Sequence, residues 1–122
     1  NDQVLTSTGG TWQSEAAGGG VEGVKVWISM DGTGTIAIRG SYNVTSITDD
    51  GSGTYTITVG TDFSDTDYSV VGSSFYDESQ TNTHDIIGVK TFNVGSFVLI
   101  NTFENATNRD AEFIQAAAFG DQ

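Results

Sequence analysis

The chain has 122 residues, with four Lys and Arg against sixteen Asp and Glu, a formal charge of −12, and neither cysteine nor proline. The length suits one domain. The acidity excludes a nucleic-acid binder, which needs a basic patch to neutralise phosphates, and it excludes attraction to anionic lipid. The missing cysteine excludes disulfides, a zinc–thiolate site and a thiol nucleophile.

Hydrophobic residues make up 36% of the chain, little for a large private core. Glycine and threonine are abundant and helix signals are few, so all-β is the economical reading. A chain of this size buries roughly two-thirds of its unfolded surface and can fold alone. Without disulfides, oligomerisation is another route to stability. The acidity reads as a solubility device, or as an origin in salty water, where screening makes self-repulsion cheap. No stretch is long enough to span a membrane, and no signal peptide stands at the N-terminus. A start at Asn1 rather than Met reads as a piece or processed form of something longer.

Residues 1–20, NDQVLTSTGGTWQSEAAGGG, read as an attachment segment: a short hairpin followed by a flexible small-residue linker. Its apolar side, Val4, Leu5 and Trp12, has too little partner surface within the segment. It is expected to pack against copies from neighbouring chains rather than onto the β domain, which occupies residues 21–122. In Val24–Met30 apolar residues alternate with Lys25, Trp27 and Ser29, which predicts a strand with Val24, Val26, Ile28 and Met30 inward. Trp27 is expected to be packed. Asp31–Gly34 predicts a hairpin turn, Ile36 and Ile38 restart the alternation, Gly40-Ser41 turns the chain, and Tyr42–Thr45 begins a third strand, together a meander.

Asp49–Gly53 predicts a tight turn, and Thr54–Val59 a strand with Tyr55, Ile57 and Val59 inward and threonines outward. An acidic loop follows over residues 61–67, then a strand over Tyr68–Ser73 and a long polar loop over Ser74–His84. Ile86–Phe92 and Ser96–Asn101 predict strands joined across Asn93–Gly95. Asn101–Asp110 is a second polar loop. The closing stretch, Ala111–Phe119, is alanine-rich and on pattern alone could be helical; its alternation, with Phe113, Ala117 and Phe119 inward, favours a strand. About eight strands result, an antiparallel β-sandwich.

Sixteen carboxylates invite a glycosidase reading, yet nothing in their spacing selects a pair. His84 is the only histidine a catalytic triad could use, and no nucleophile-elbow pattern surrounds a serine. The chain therefore reads as a non-enzyme with no cofactor. Asp62, Asp65 and Asp67 lie within six residues and are weak calcium candidates, without the EF-hand spacing. The two long loops carry the stronger signal. Phe75, Tyr76, Asp77, Glu78, Asn82 and His84 combine ring faces with hydrogen-bonding groups, and Phe103, Asn105, Asn108 and Arg109 repeat the theme. That combination suits sugars or a protein epitope.

Lys25 with Trp27, Gly32-Thr33-Gly34, Ile38-Arg39, Ser41–Val44, Ser46–Asp49, Gly53–Thr56 and Asp67-Tyr68 resemble, in order, the K-x-W, G-T-G, I-R, S-x-N-V, S-I-T-D, G-x-Y-T and D-x-x-Y elements of the C-terminal module of phage tail-fibre and tail-collar proteins. QVLTSTGG-TWQ is similar to the segment that joins fibre shafts to such modules. The resemblance covers most of Val21–Tyr76 and the last strand, and is weaker over Asp77–Arg109. It implies a homotrimeric fibre tip, extracellular on the virion, whose partners are its own copies, the rest of the fibre, and a host glycan or outer-membrane protein. Such tips sometimes share a metal through H-x-H pairs; beyond His84 this chain lacks the second histidine. The alternatives are a head-decorating virion protein sharing the module and a monomeric carbohydrate-binding domain.

Overall fold

The computed structural model describes residues 23–79, 85–104 and 107–122. The predicted attachment residues Val4, Leu5 and Trp12, and the loop residues Asn82, His84 and Asn105, lie outside them. The described residues are all-β: nine strands and no helix. These are β1 (Val24–Asp31), β2 (Ala37–Tyr42), β3 (Val44–Gly51), β4 (Thr54–Val59), β5 (Ser69–Phe75), β6 (Ile86–Asn93), β7 (Ser96–Phe103), the two-residue β8 (Thr107–Asn108) and β9 (Phe113–Phe119).

They form two antiparallel sheets. The first is four-stranded in the order β2-β1-β9-β5; the second is five-stranded, β3-β4-β7-β6, with β8 added to β7. Both contribute to one buried cluster. Val26, Ile28 and Met30 of β1 meet Tyr55, Ile57 and Val59 of β4, Phe97 and Leu99 of β7, and Ile114, Ala116 and Ala118 of β9. Each fully buried aliphatic or aromatic side chain contributes roughly 1.5–3 kcal/mol of transfer free energy.

Several expectations change. The predicted meander does not form, because β2 pairs with β1 in the first sheet whereas β3 pairs with β4 in the second. Gly40 and Ser41 lie inside β2, and the corner falls at Asn43, whose φ is 58°. Its Nδ2 donates to Lys25 O (3.1 Å), its Oδ1 accepts from Thr61 N (2.9 Å), and its carbonyl accepts from Gly60 N (3.0 Å). A short polar side chain that tolerates this backbone region thus carries the chain between sheets. Val24 is exposed rather than inward, since a bulge between Val24 and Val26 puts it out of phase.

In β9 the parity is the opposite of that predicted. Ile114, Ala116 and Ala118 face the core, because they pair with Met30, Ile28 and Val26, and antiparallel partners share a face. Trp27, between the inward residues of β1, points away from the core and is 42% exposed. Ile38 is also exposed on edge strand β2, while Ile36 packs against the core.

At one end of the sheets Tyr68 closes the core. Its ring stacks on Phe63 at 3.9 Å and meets Phe92 and Phe97 edge-on, and its hydroxyl lies 2.7 Å from Asn93 O and 3.0 Å from Ser96 O. The loop over residues 61–67 is therefore anchored through Phe63. At the opposite end the hydroxyl of fully buried Tyr55 lies 2.9 Å from both Gly32 O and Asp110 Oδ1, and Gly53 N donates to the same Asp110 oxygen (2.8 Å). Burial first, and then the Asp110 hydrogen bond and charge, push the Tyr55 phenol far above its ordinary value; burial raises Tyr68 as well.

Gly53 leaves no room for a side chain at this end. It has φ 66°, and a Cβ there would stand 2.5 Å from Asn101 O and 2.8 Å from Arg109 N. Gly53→Ala should cost roughly 2–3 kcal/mol through backbone strain and overlap together, measured by urea unfolding. Gly34→Ala has a similar φ of 56° but open space around the new methyl, and should cost only about 1 kcal/mol.

The two phenols also set an alkaline limit. Unfolded tyrosine ionises near pH 10, whereas the native state holds these protons to higher pH. Their contribution is full below that value and is lost as pH rises above it. The urea midpoint should fall from about pH 10 upward. Tyr55→Phe should flatten that fall while lowering stability at neutral pH by roughly 1–2 kcal/mol.

Candidate functional site

β5 and β7 run to the same end of the sheets and deliver the two aromatic loops there. β5 reaches Phe75, two residues beyond the predicted strand, and Tyr76 follows. β7 reaches Phe103, and β8 pairs back on it through Thr102–Asn108 and Phe103–Thr107. That short return sets Arg109 between the loops. Its guanidinium carbon lies 3.7 Å from the centroid of Tyr76 and 3.8 Å from that of Phe103, a cation held between two ring faces.

The fork of the guanidinium is fixed from below. Nε donates to Asp85 Oδ1 (2.9 Å), and an η nitrogen donates to the same oxygen. The Asp85 side chain is fully buried, and its Oδ2 accepts from Asn101 Nδ2 (2.9 Å). Asn101 is buried too. Its Nδ2 also donates to Arg109 O (2.9 Å), its backbone N donates to Gly53 O (2.7 Å), and its carbonyl accepts from Arg109 N (3.2 Å). The Asn101 Oδ1 has no hydrogen-bond partner among the described residues. Glu112 N donates to Tyr76 O (2.8 Å), which ties the first loop to the start of β9.

Of the predicted residues, Tyr76, Phe103 and Arg109 come together. Phe75 does not join them; it is exposed beside Phe113, at 6.5 Å between ring centroids, and Phe113 in turn carries the Arg39 guanidinium at 4.6 Å. Asp77 accepts from the amide and hydroxyl of Ser79, forming a local turn, and Glu78 is exposed. Asn108 sits exposed on β8. Asp62, Asp65 and Asp67 do not gather; Asp65 Oδ1 turns back to accept from Asp67 N (2.8 Å). No group of three metal-ligating side chains occurs among the described residues.

Asp85 and Asn101 were not singled out from the sequence. Asp85 directly precedes β6 and Asn101 lies within β7, and neither carries a motif. Arg39, named above only within the I-R element, donates to Met30 O (3.0 Å) and Glu112 O (2.6 Å) and stands 3.5 Å from Asp31 Oδ2. Asp31 is held below the usual carboxylate range, first by the Thr33 hydroxyl, then by the Thr33 amide, with Arg39 adding to both.

A concavity lies on the outward face of the first sheet. It is an open groove of about 410 Å³ between Trp27 and Val71, floored by Ala116, Ala117 and Gly72, with Ser29, Ser73 and Gln115 along it. Compared with known protein families, with curated proteins and with solved structures, the chain matches none of them.

The latch around Arg109 yields a direct expectation. Arg109→Ala removes the two guanidinium hydrogen bonds to buried Asp85 and the cation between both rings, and should cost roughly 1.5–3 kcal/mol in urea unfolding. Arg109→Lys keeps the charge but not the flat fork, and should fall between the variant and the parent.

Proposed function

We propose that this chain is the receptor-binding tip of a phage tail fibre. It is read as an extracellular virion protein whose two sheets stack as an antiparallel β-sandwich and which assembles as a homotrimer. Recognition of a host surface glycan or outer-membrane protein is non-covalent, and no bond is broken. The resemblance in the first three strands supports this reading, and the observation that carries it is the polarity of the β domain. The chain joins residues 1–22 at the end where Val24 pairs with Phe119. Tyr76, Asp77, Glu78, Phe103 and Asn108 lie at the other end, about 25 Å away along an eight-residue strand. An attachment segment at one end and aromatic, polar loops at the other is the layout a fibre tip needs, because loops on a rigid scaffold carry recognition. Three copies on one fibre then raise weak single-site binding through effective concentration.

A second reading rests on the Arg109 latch. Tyr76 and Phe103 each give one ring face to the guanidinium, so the loop end is partly self-satisfied, as in a head-decorating knob with no receptor.

The two are separated by binding of fluorescently labelled protein to a panel of bacterial cells. Glu78→Lys, at the loop end, should reduce binding to the recognised host at least tenfold, while Thr66→Lys, an equally exposed position at the attachment end, should leave it unchanged. Binding that survives Glu78→Lys, together with a loop deletion, points to the decorating knob.

A further inference from the structure

We infer that the groove between Trp27 and Val71 is a binding site for a neutral sugar, one hexopyranose unit of an uncharged glycan. The inference stands apart from the loop-end reading above and assigns a second site.

Register lays two unlike rows side by side on the outward face of the first sheet. Trp27 of β1 pairs with Ala117 of β9, and Ala117 with Val71 of β5. Two residues further along the same strands, Ser29 pairs with Gln115 and Gln115 with Ser73. Directly paired antiparallel residues share a face, so an apolar row lies beside a polar one, about 7 Å away. Ala117 is the low point of the apolar row. It leaves a notch two strand spacings wide, roughly 9.5 Å between the backbones of β1 and β5, with the indole at one side and Val71 at the other.

The recognising groups are set in advance. The Trp27 ring lies against Gly40 of β2, where a Cβ would stand 3.3 Å from its Cη2 and 3.4 Å from its Cζ3. The Ser73 hydroxyl donates to Gln115 Oε1 (3.0 Å), which orients that amide and leaves its Nε2 to donate to a ligand. A cavity of about 410 Å³ falls within the range of small-molecule sites, which are mostly apolar with a few placed polar groups.

The two rows together select the occupant. A pyranose carries C–H bonds on its face and hydroxyls around its rim. The weakly positive C–H bonds suit the electron-rich indole, while the rim hydroxyls find Ser29 and the Gln115 amide one row away. A wholly apolar partner would strip water from Ser29 and Gln115 Nε2 with nothing in return, roughly 1–3 kcal/mol for each group. An extended peptide needs an unpaired strand edge, whereas β1 and β9, under the groove, are hydrogen-bonded on both sides. Charged ligands, sulfated and carboxylated sugars among them, meet no ionised side chain in the lining, and anions also face a chain of charge −12.

The test is NMR titration of nitrogen-labelled residues 1–122 with the methyl glycosides of glucose, galactose, mannose and N-acetylglucosamine. Cyclohexanol, a six-membered ring with a single hydroxyl, is titrated beside them. At least one glycoside should shift the Trp27 indole N–H to saturation, and cyclohexanol should bind at least tenfold more weakly. Trp27→Ala and Gln115→Ala should each weaken that glycoside at least tenfold with unchanged far-ultraviolet circular dichroism, since both side chains lie outside the core. Glu78→Lys, at the loop end, should leave its binding as it was. The inference is overturned if no glycoside binds, if cyclohexanol binds as tightly as the glycosides, or if both groove variants bind like the parent. It is overturned too if Trp27→Ala dissociates an assembled parent that takes up no glycoside, which gives the face to a second copy.

Discussion

The pairing of β1 with β9 is the constraint on which the rest of the structure depends. These strands lie at the two ends of the described β domain yet form the centre of the first sheet, with Ile28 opposite Ala116 and Met30 opposite Ile114. Their register decides which side chains enter the core and, in the same step, which are left outside. A slip of one residue would bury Trp27 and Ala117 and expose Ile28 and Ala116. The apolar core, the exposed groove and the position of Phe113 beside Arg39 therefore follow from one set of backbone hydrogen bonds. Because the contact joins residues about ninety positions apart, its loop-closure cost must be met before its gain arrives.

The loop end is organised by a different economy. In a chain so rich in acids, Arg109 and Arg39 are both engaged: one clasped between rings above Asp85, the other laid over Phe113 beside Asp31 and Glu112. Cations stacked on aromatic faces hold irregular backbone where strand hydrogen bonds stop. Tyr55, Asp110 and Gly53 do the same beneath them with neutral and charged hydrogen bonds. The surface loops of this end are thus held by buried polar groups whose partners come from distant parts of the chain.

Much of the fold was legible in the sequence where period and punctuation agree. β4 alternates aromatic or aliphatic residues with threonines, so both its existence and its faces follow, and the turns at Asp49–Gly53 and Asn93–Gly95 announce themselves. Legibility fails where the signal is not hydropathy. The sheet change at Asn43 depends on a positive φ and three hydrogen bonds, none of which leaves a mark in the pattern. In AEFIQAAAF apolar residues occur on both parities, so only the partner strand can choose between them. At the site, Tyr76, Phe103 and Arg109 were visible as residue types, but their meeting needs the β8 return. Asp85 and Asn101 stayed hidden because a lone polar residue at a strand reads as an edge until its burial is known.

The arrangement of β1 also has a mechanical meaning. The strand runs from the end where residues 1–22 join to the end that carries the aromatic loops, and it has hydrogen-bonded neighbours on both sides, β2 and β9. A pull applied between those ends acts along the strand, perpendicular to its hydrogen bonds. Both ladders are then loaded in shear, all rungs at once, rather than peeled one rung at a time. A domain strung this way resists tension along its length far better than tension across it, which suits a body held at one end and tugged at the other.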